Sequence, residues 1–297
     1  MKRLLVTGAS GFLGWNVCEF PQEDWEILGI YHDHKDGIPD YIQSYQVDLR
    51  AQSAFEQVLE RTQADAVLHL AANSNPKYCE ENPSTSYSVN VGASRDIAQI
   101  CQDLAIPMVF ASSEQVYSGM QENNSEEDEL KPINAYGRQK LTAEQKIMRL
   151  HPEACIARMA VMFGDHGPSA RCFMHEWLNR WEKGEAVTAF TDEIRCFLSG
   201  YSAAEGLFLL LERQASGIYN IGGKDAISRF DFALKLAEKY GIKNPKIKAA
   251  SQKDIPGLAE TRPANLSMDL GKIEGFGFVA RTVDEELSEL VGTEEES

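Results

Sequence analysis

The sequence predicts an α/β fold, a doubly wound parallel sheet followed by a smaller mixed α/β region. Three observations predict it. Short apolar runs alternate with helical patterns over roughly the first 160 residues. The first run ends in a turn with glycines at three-residue spacing, Gly8, Gly11 and Gly14, which opens a helix. After "MFGDHGP" the alternation gives way to helices separated by short strands. Such alternation buries a parallel sheet between two helical layers joined by right-handed crossovers.

Each element has its own signal. "RLLVTG" (Arg3–Gly8) is a short apolar run closing on glycine, which reads as a buried strand. "FLGWNVCEF" is helical and stops at Pro21. "EILGIY" (Glu26–Tyr31) and "YQVDL" (Tyr45–Leu49) are the second and third strands, and "AQSAFEQVLERT" is a helix. "DAVLHLAA" (Asp65–Ala72) is the fourth strand. Pro83 opens a long helix reaching to about Leu104. "IPMVFASS" (Ile106–Ser113) is the fifth strand, Tyr136 to about Leu150 a helix, and "ACIARMA" (Ala154–Ala160) the sixth strand. Helices follow at about Ser169–Lys183, Ser202–Gln214 and Ser228–Tyr240. "GIYNIGG" between the last two is a strand. The expected division is 1–164 and 165–297, with a segment near 217–223 returning to the main sheet.

Composition excludes some functions. The net charge is −16, from 29 basic and 45 acidic residues, which argues against nucleic acid or an anionic membrane as partner. The acidic surplus gathers in "QENNSEEDEL" (Gln121–Leu130) and "DEELSELVGTEEES" (Asp284–Ser297), read as a solvated loop and a frayed terminus. No run of about 18 apolar residues is present, so no transmembrane helix is expected. "MKRLLVTGAS" is too briefly apolar for a signal peptide. Cys18, Cys79, Cys101, Cys155, Cys172 and Cys196 are scattered, with no CxxC pair and no histidine at ligand spacing. Free thiols in a cytoplasmic protein, and no metal, are expected.

The glycine turn carries the first chemistry. Gly8 permits the tight turn, Gly11 lets a pyrophosphate approach backbone N–H groups, and Gly14 lets helix and strand pack closely. With Ser10, Phe12 and Leu13 the loop offers a helix N-terminus to negative charge. In a Rossmann-type sheet this is a dinucleotide site, although a glycine-rich turn can also stand without a ligand. Cofactor choice is read at the end of the second strand, "GIYHDHK". Tyr31 or His32 occupies the place where an acidic residue would select NAD. His32, His34 and Lys35 suit a 2′-phosphate, while Asp33 keeps NAD possible, so NADP is preferred with NAD as the alternative. Asp48, beside Leu49, is placed either to bond the adenine edge or to cap the following helix.

Ser112 and Ser113 end the fifth strand, on the side where open parallel sheets bind ligands. Tyr136 follows Ser113 by 23 residues, and Lys140 lies one helical turn further on the same face. A Tyr and a Lys four apart also recur on ordinary surface helices; convergence with the glycine loop and Ser113 gives them a role. Hydride transfer to a ketone leaves an alkoxide that needs a proton. A phenol can supply it if a neighbouring ammonium stabilises the phenolate and lowers its pKa, while a serine hydroxyl holds the substrate oxygen.

The glycine spacing, "HLAA" (His69–Ala72), "NPSTSYSVNVGAS" (Asn82–Ser94), "SSEQVYSG" and Tyr136-x-x-x-Lys140 together resemble the extended short-chain dehydrogenases/reductases, over nearly the whole chain. "ELKPINAYGRQKLTAEQ" and "AETRPANLSMDLGKIEGFGF" most resemble the dTDP-4-dehydrorhamnose reductase branch, which also includes the regulatory β subunit of methionine adenosyltransferase. The resemblance implies Ser113, Tyr136 and Lys140 as catalytic residues. It implies that Leu70, Ala71, Ala72, Asn90 and Ser112 join the cofactor site. Glu114, Gln115, Arg195 and Arg262 are implied for substrate, the two arginines as forks for a diphosphate.

The implied activity is NAD(P)-dependent reduction of a 4-keto nucleotide sugar, in a possible homodimer. The alternatives are an epimerase with tightly held cofactor and a non-catalytic cofactor-binding regulator. The reductases usually read Thr-Asp-Tyr-Val-Phe-Asp-Gly where this chain has "SEQVYSG", so Gln115 replaces an aromatic that often touches substrate. His166 and His175, after the sixth strand, are either an additional acid of the cleft or structural.

Overall fold

Leu4, Leu5 and Val6 of β1 (Lys2–Thr7) are fully buried because β1 lies inside a seven-stranded sheet flanked by helices. The computed structural model describes residues 1–296. After β1 come α1 (Phe12–Glu19), β2 (Trp25–Tyr31), β3 (Gln43–Gln46), α2 (Gln52–Thr62) and β4 (Ala66–His69). Then follow α3 (Pro76–Glu81), α4 (Pro83–Tyr87), α5 (Ser94–Asp103), β5 (Met108–Ser113), α6 (Ala135–Leu150) and β6 (Cys155–Met159). The remainder holds β7 (Met162–Phe163), α7 (Phe173–Glu182), β8 (Val187–Phe190), β9 (Ile194–Cys196), β10 (Leu198–Ser199) and α8 (Gly200–Glu212). It closes with β11 (Gly217–Ile221), β12 (Ala226–Ser228), α9 (Arg229–Lys239), β13 (Ile247–Ala250), β14 (Asn265–Leu266), α10 (Gly271–Phe276) and α11 (Val283–Glu296).

The main sheet runs β11-β6-β5-β4-β1-β2-β3, every pair parallel. Successive strand residues point to opposite faces. Leu4, Val6, Leu68, Val109 and Ala111 therefore pack with α1 and α8, while Leu5, Val67, Met108 and Phe110 pack with α2, α5 and α6. The expected return of "GIYNIGG" occurs: β11 pairs in register with β6, from Gly217 opposite Cys155 to Ile221 opposite Met159. A separate aromatic core, with Trp177, Phe197 and Phe232, fills the smaller region. The strand order reverses between β1 and β4, and the cleft of such a sheet opens there.

Several elements differ from expectation. The fourth strand stops at His69, because the Thr7 hydroxyl accepts the N–H groups of Leu70 and Ala71 at 3.2 Å each and turns the chain out of the sheet. The third strand ends at Gln46, because the Asp48 carboxylate takes the Arg50 N–H at 3.0 Å and closes a turn. The long helix from Pro83 is interrupted by a π-helical segment, Ser88–Ala93, and is preceded by α3, which the sequence reading lacks. The signal for α3 was Asn75-Pro76: the Asn75 side chain caps the Tyr78 N–H at 3.1 Å, with proline at the first helical position.

The acidic tail is not frayed through the described residues; Val283–Glu296 form α11. Val283 and Leu287 are fully buried in the aromatic core, and burial of each side chain contributes on the order of 1.5–3 kcal/mol. Ser297 lies outside the described residues. The Gln121–Leu130 loop is irregular, but Asn124 is buried and donates to the Ser267 carbonyl at 2.7 Å, so the loop is pinned rather than merely solvated. All six cysteines are free and buried. Among the described residues no helix is long and apolar enough to cross a membrane.

Candidate active site

The glycine turn folds against the outgoing end of β4. Gly8 has a φ of +70°, and a Cβ there would stand 2.8 Å from the Ala71 backbone. A Cβ on Gly14 would lie 2.2 Å from the Gly8 carbonyl oxygen, so α1 can approach β1 only without one. These two contacts open a cleft of about 600 Å³ across the ends of β1, β2, β4 and β5. Every cofactor residue expected from the sequence lines it except Asn90 and Lys35. Asn90 is fully buried in the π-helical segment; it bonds the Asn73 N–H at 2.7 Å and donates to Gln139 at 2.8 Å. It thus braces the cleft wall against α6 without entering the cleft.

At the far end of this cleft His32 bonds Asp33 at 2.7 Å. Asp48 is gripped by Arg50, whose side chain donates at 2.6–3.1 Å. Those hydrogen bonds from Arg50 hold the Asp48 carboxyl down at about 2. Asp48 does not cap α2, whose N-cap is Ala51 with no side-chain bond. Arg50 lines the cleft and was not foreseen; Lys35, expected near it, sits in a 3-10 turn outside the lining.

A second cleft of about 710 Å³ lies beside the first. Ser113, Glu114, Gln115, Arg195 and Arg262, all expected from the sequence, line it. The two clefts share Ser74, Ser112, Tyr136, Met159 and Met162, so Tyr136 stands at their junction, with Lys140 on the side of the first.

Helix α6 brings Tyr136 there. Asn134 caps it, accepting the Gly137 N–H at 2.8 Å, while its amide donates to Gln115 at 2.8 Å and to the Thr261 carbonyl at 3.1 Å. Glu80 of α3 takes the Ala135 N–H. Gly137 is required by contact, since a Cβ there would meet the Gln115 carbonyl oxygen at 2.1 Å.

The electrostatics of the pair depart from expectation. Burial pushes the Tyr136 phenol above its ordinary range, and the Ser113 side-chain hydrogen bond only partly opposes it. Lys140 is itself buried and donates to the Ala111 carbonyl at 2.7 Å, with its ammonium 5.9 Å from the centre of the Tyr136 ring. Burial brings Lys140 down to about 8, against the pull of Glu144. Ser112 directs its hydroxyl to Glu144, which pairs with the buried Arg158 at 2.9 Å. That leaves Ser113 as the serine beside the phenol.

The far wall of the second cleft is a charged cluster that sequence reading only half found. Glu193 is 1% exposed and pairs with Arg195 at 3.4 Å, Arg229 at 2.7 Å and Arg262 at 2.5 Å. Burial alone would raise its carboxyl, but Arg229, Arg195 and Arg262 outweigh that and hold it at about 2. Arg195 is buried, with its remaining donors committed to the carbonyls of Ile194, Pro263 and Ala264 and its Nε 3.3 Å from Glu114. Arg262 is the more open of the two expected arginines, its side chain 37% exposed. Arg229 stacks on the rings of Phe173 and Trp177. Neither Glu193 nor Arg229 carries a local motif, and only the tertiary fold reveals them. His166 and His175 stack edge to face at 4.6 Å and line neither cleft. Among the described residues no group of three or more His, Cys, Asp or Glu is placed to hold a metal ion.

A glycine-turn cleft at the sheet's topological switch, meeting a second cleft at a tyrosine with a serine on one side and a lysine on the other, is the arrangement of the extended short-chain dehydrogenases/reductases. Within that class, the chain belongs to the RmlD substrate binding domain family, whose model matches residues 1–295. It is 29% identical to the probable low-salt glycan biosynthesis reductase Agl14 of Haloferax volcanii, over 96% of both chains. It is 24% identical to methionine adenosyltransferase 2 subunit beta of Rattus norvegicus, over 95% of this chain and 84% of that one. Its fold matches dTDP-4-dehydrorhamnose reductase of Bacillus anthracis, solved in complex with NADP, at a TM-score of 0.86 and 22% identity, covering 98% and 99% of the two chains.

Proposed function

We propose that this protein is an NADP-dependent reductase of a 4-keto nucleotide sugar, with Tyr136 as the general acid. The observation that carries the reading is the position of Tyr136 where the two clefts meet, with Ser113 on the side of the second and Lys140 on the side of the first. The first cleft fits a dinucleotide: the close approaches at Gly8 and Gly14 leave room and free backbone N–H groups at the start of α1. Gly8 to Gly14 would hold the pyrophosphate, and His32 and Arg50 the adenosine end, where they favour a 2′-phosphate over NAD. Bound there, the reduced nicotinamide supplies hydride.

The chain supplies everything else. Ser113 orients the substrate ketone, and Tyr136 gives its phenolic proton to the oxygen that becomes the alcohol. Lys140 carries the positive charge that stabilises the phenolate left behind. A phenol raised by burial is fully protonated at neutral pH, which suits an acid in the reductive direction. The open guanidinium of Arg262 suits a diphosphate at the mouth of the second cleft.

Tyr136→Phe is expected to lower turnover by roughly 10²–10⁴-fold with NADPH affinity essentially unchanged. Undiminished turnover would overturn the assignment. Consumption of NADPH in step with product distinguishes a reductase from an epimerase that recycles a bound cofactor. A second reading, a cofactor-binding subunit of another enzyme, is supported by the similarity to methionine adenosyltransferase 2 subunit beta. A stoichiometric partner on pull-down, with no turnover on any nucleotide sugar, would favour it.

A further inference from the structure

Beyond Lys140 on α6 stands a carboxylate that the proposed chemistry does not use. Glu144 is 2% exposed and lines neither cleft. It follows Lys140 by one helical turn on the same face, where side chains stand about 5–6 Å apart at Cβ. The buried Arg158 of β6 grips it, with Nη2 2.9 Å from Oε2 and Nε 3.2 Å from Oε1. The Ser112 hydroxyl donates to the same Oε1. Both carboxylate oxygens are therefore answered. Arg158 is fixed in turn: its Nη1 donates to the Tyr117 hydroxyl at 3.0 Å and to the Glu126 carbonyl at 3.2 Å. Tyr117 donates to Asn220 of β11 at 2.7 Å.

An ion pair this deep adds little to stability, because desolvating two charges cancels most of their attraction. Its place beside the site is the more telling fact. Lys140 is buried, with the Ala111 carbonyl as its acceptor and the rings of Phe110 and Tyr136 at 4.5 and 5.9 Å. An ammonium in such apolar surroundings gives up its proton more readily than in water. The ionisable groups facing it come from four elements. Tyr136 of α6 and Cys79 of α3 are neutral near pH 7, because burial raises both. His69 of β4 is neutral because burial lowers it to about 3. Arg158 of β6 is occupied with Glu144, and Glu144 is left as the negative charge that favours the lysine's charged form.

We infer that Glu144 is a positioning residue for the reduction, acting through Lys140 rather than on the substrate. Clamped by Arg158, it holds a fixed negative charge one turn beyond the ammonium, so that Lys140 keeps its proton within an apolar wall. It also claims the Ser112 hydroxyl, leaving Ser113 to serve the substrate oxygen. Without Glu144, Lys140 would carry its charge over a narrower range of pH, and the phenolate would lose its partner. Tyr136, Lys140 and Glu144 thus form a run at four-residue spacing along one face of α6: proton donor, cation and anchor. This role rests on Lys140 stabilising the Tyr136 phenolate, as proposed above.

The test has two arms, and the first needs no substrate. In protein with carbon-13-labelled lysine, nuclear magnetic resonance follows the Cε signal of Lys140, assigned by its absence in Lys140→Met. Its titration midpoint in wild type is expected at about 8, and in Glu144→Gln about one pH unit lower. An unchanged midpoint would overturn the inference. Glu144→Gln leaves Arg158 buried without its partner. The double variant Glu144→Gln with Arg158→Met removes both charges, repeats the arm should the single variant fold poorly, and carries the same expectation. The second arm measures kcat with saturating NADPH and dTDP-4-dehydrorhamnose. The alkaline fall should move with the lysine midpoint, so that Glu144→Gln is about tenfold slower than wild type at pH 9 and nearly as fast at pH 6. A loss equal at every pH would confine Glu144 to structure and overturn the positioning role. If wild type does not turn over dTDP-4-dehydrorhamnose, the proposed reaction fails, while the lysine midpoint still decides whether Glu144 governs Lys140.

Discussion

Burial acts on Tyr136 and Lys140 in opposite senses: it raises the acid that becomes an anion and lowers the base that is a cation. The phenol therefore keeps its proton through neutral pH, and the lysine becomes the group that limits activity on the alkaline side. Lys140 is protonated below about 8 and neutral above it. At saturating substrate, kcat for reduction should be level up to that pH and fall beyond it, and a profile still rising at pH 9.5 would refute the role of Lys140. Glu114 leaves a separate mark on stability. Its carboxyl lies higher in the folded protein than the ordinary 4.5, so its contribution is fully present below that value and is lost as pH rises to about 7. Thermal unfolding of Glu114→Gln should lack that loss, becoming the more stable of the two above pH 7. Ser113, Tyr136 and Lys140 were legible because each rests on local spacing along one strand end or one helix turn. Glu193 and Arg229 were not, because their roles come from partners far away in sequence, as in Glu193 with Arg262; Arg50 grips Asp48 two residues away, but no motif marks that pair as part of the cleft.

At the level of elements, α6 is held at its start by more than its own cap. Asn134 bonds three segments at once: the first turn of α6, the Gln115 side chain and the Thr261 backbone. Asn134→Ala removes an N-cap worth about 1 kcal/mol, and should lower Tm by about 2–4 °C. It should also lower kcat, because the anchors that align Tyr136 with Ser113 are gone. A change in Tm with kcat intact would confine Asn134 to stability. The helices and strands of the main sheet were readable since their apolar periods are local. The tail was misread because its acidic composition masked the spacing of Val283, Leu287 and Leu290, which packs α11 on the aromatic core. The short strands β7, β9, β10, β12 and β14 have two or three residues each, too few to show a period.

For the whole molecule, the later part of the chain is woven into the earlier. α8 packs on the same sheet face as α1, and β11 completes the sheet beyond β6. We therefore expect one cooperative thermal transition rather than two, shifted upward by NADPH by about 2.7 kcal/mol at a hundredfold excess over Kd. Two resolved transitions in calorimetry would contradict it. The placement of β11 also sets a schedule for synthesis. Until Gly217–Ile221 leave the ribosome, β6 has no neighbour on its outer side, and its backbone donors and acceptors there stand open. About 60 residues separate the end of β6 from β11, which at translation speeds of 5–20 residues per second is roughly 3–12 s. During that interval the nascent chain exposes a strand edge able to pair with another copy. A chain released after residue 164 would keep that edge permanently, and should be recovered as aggregate even though it contains the entire glycine turn and Tyr136.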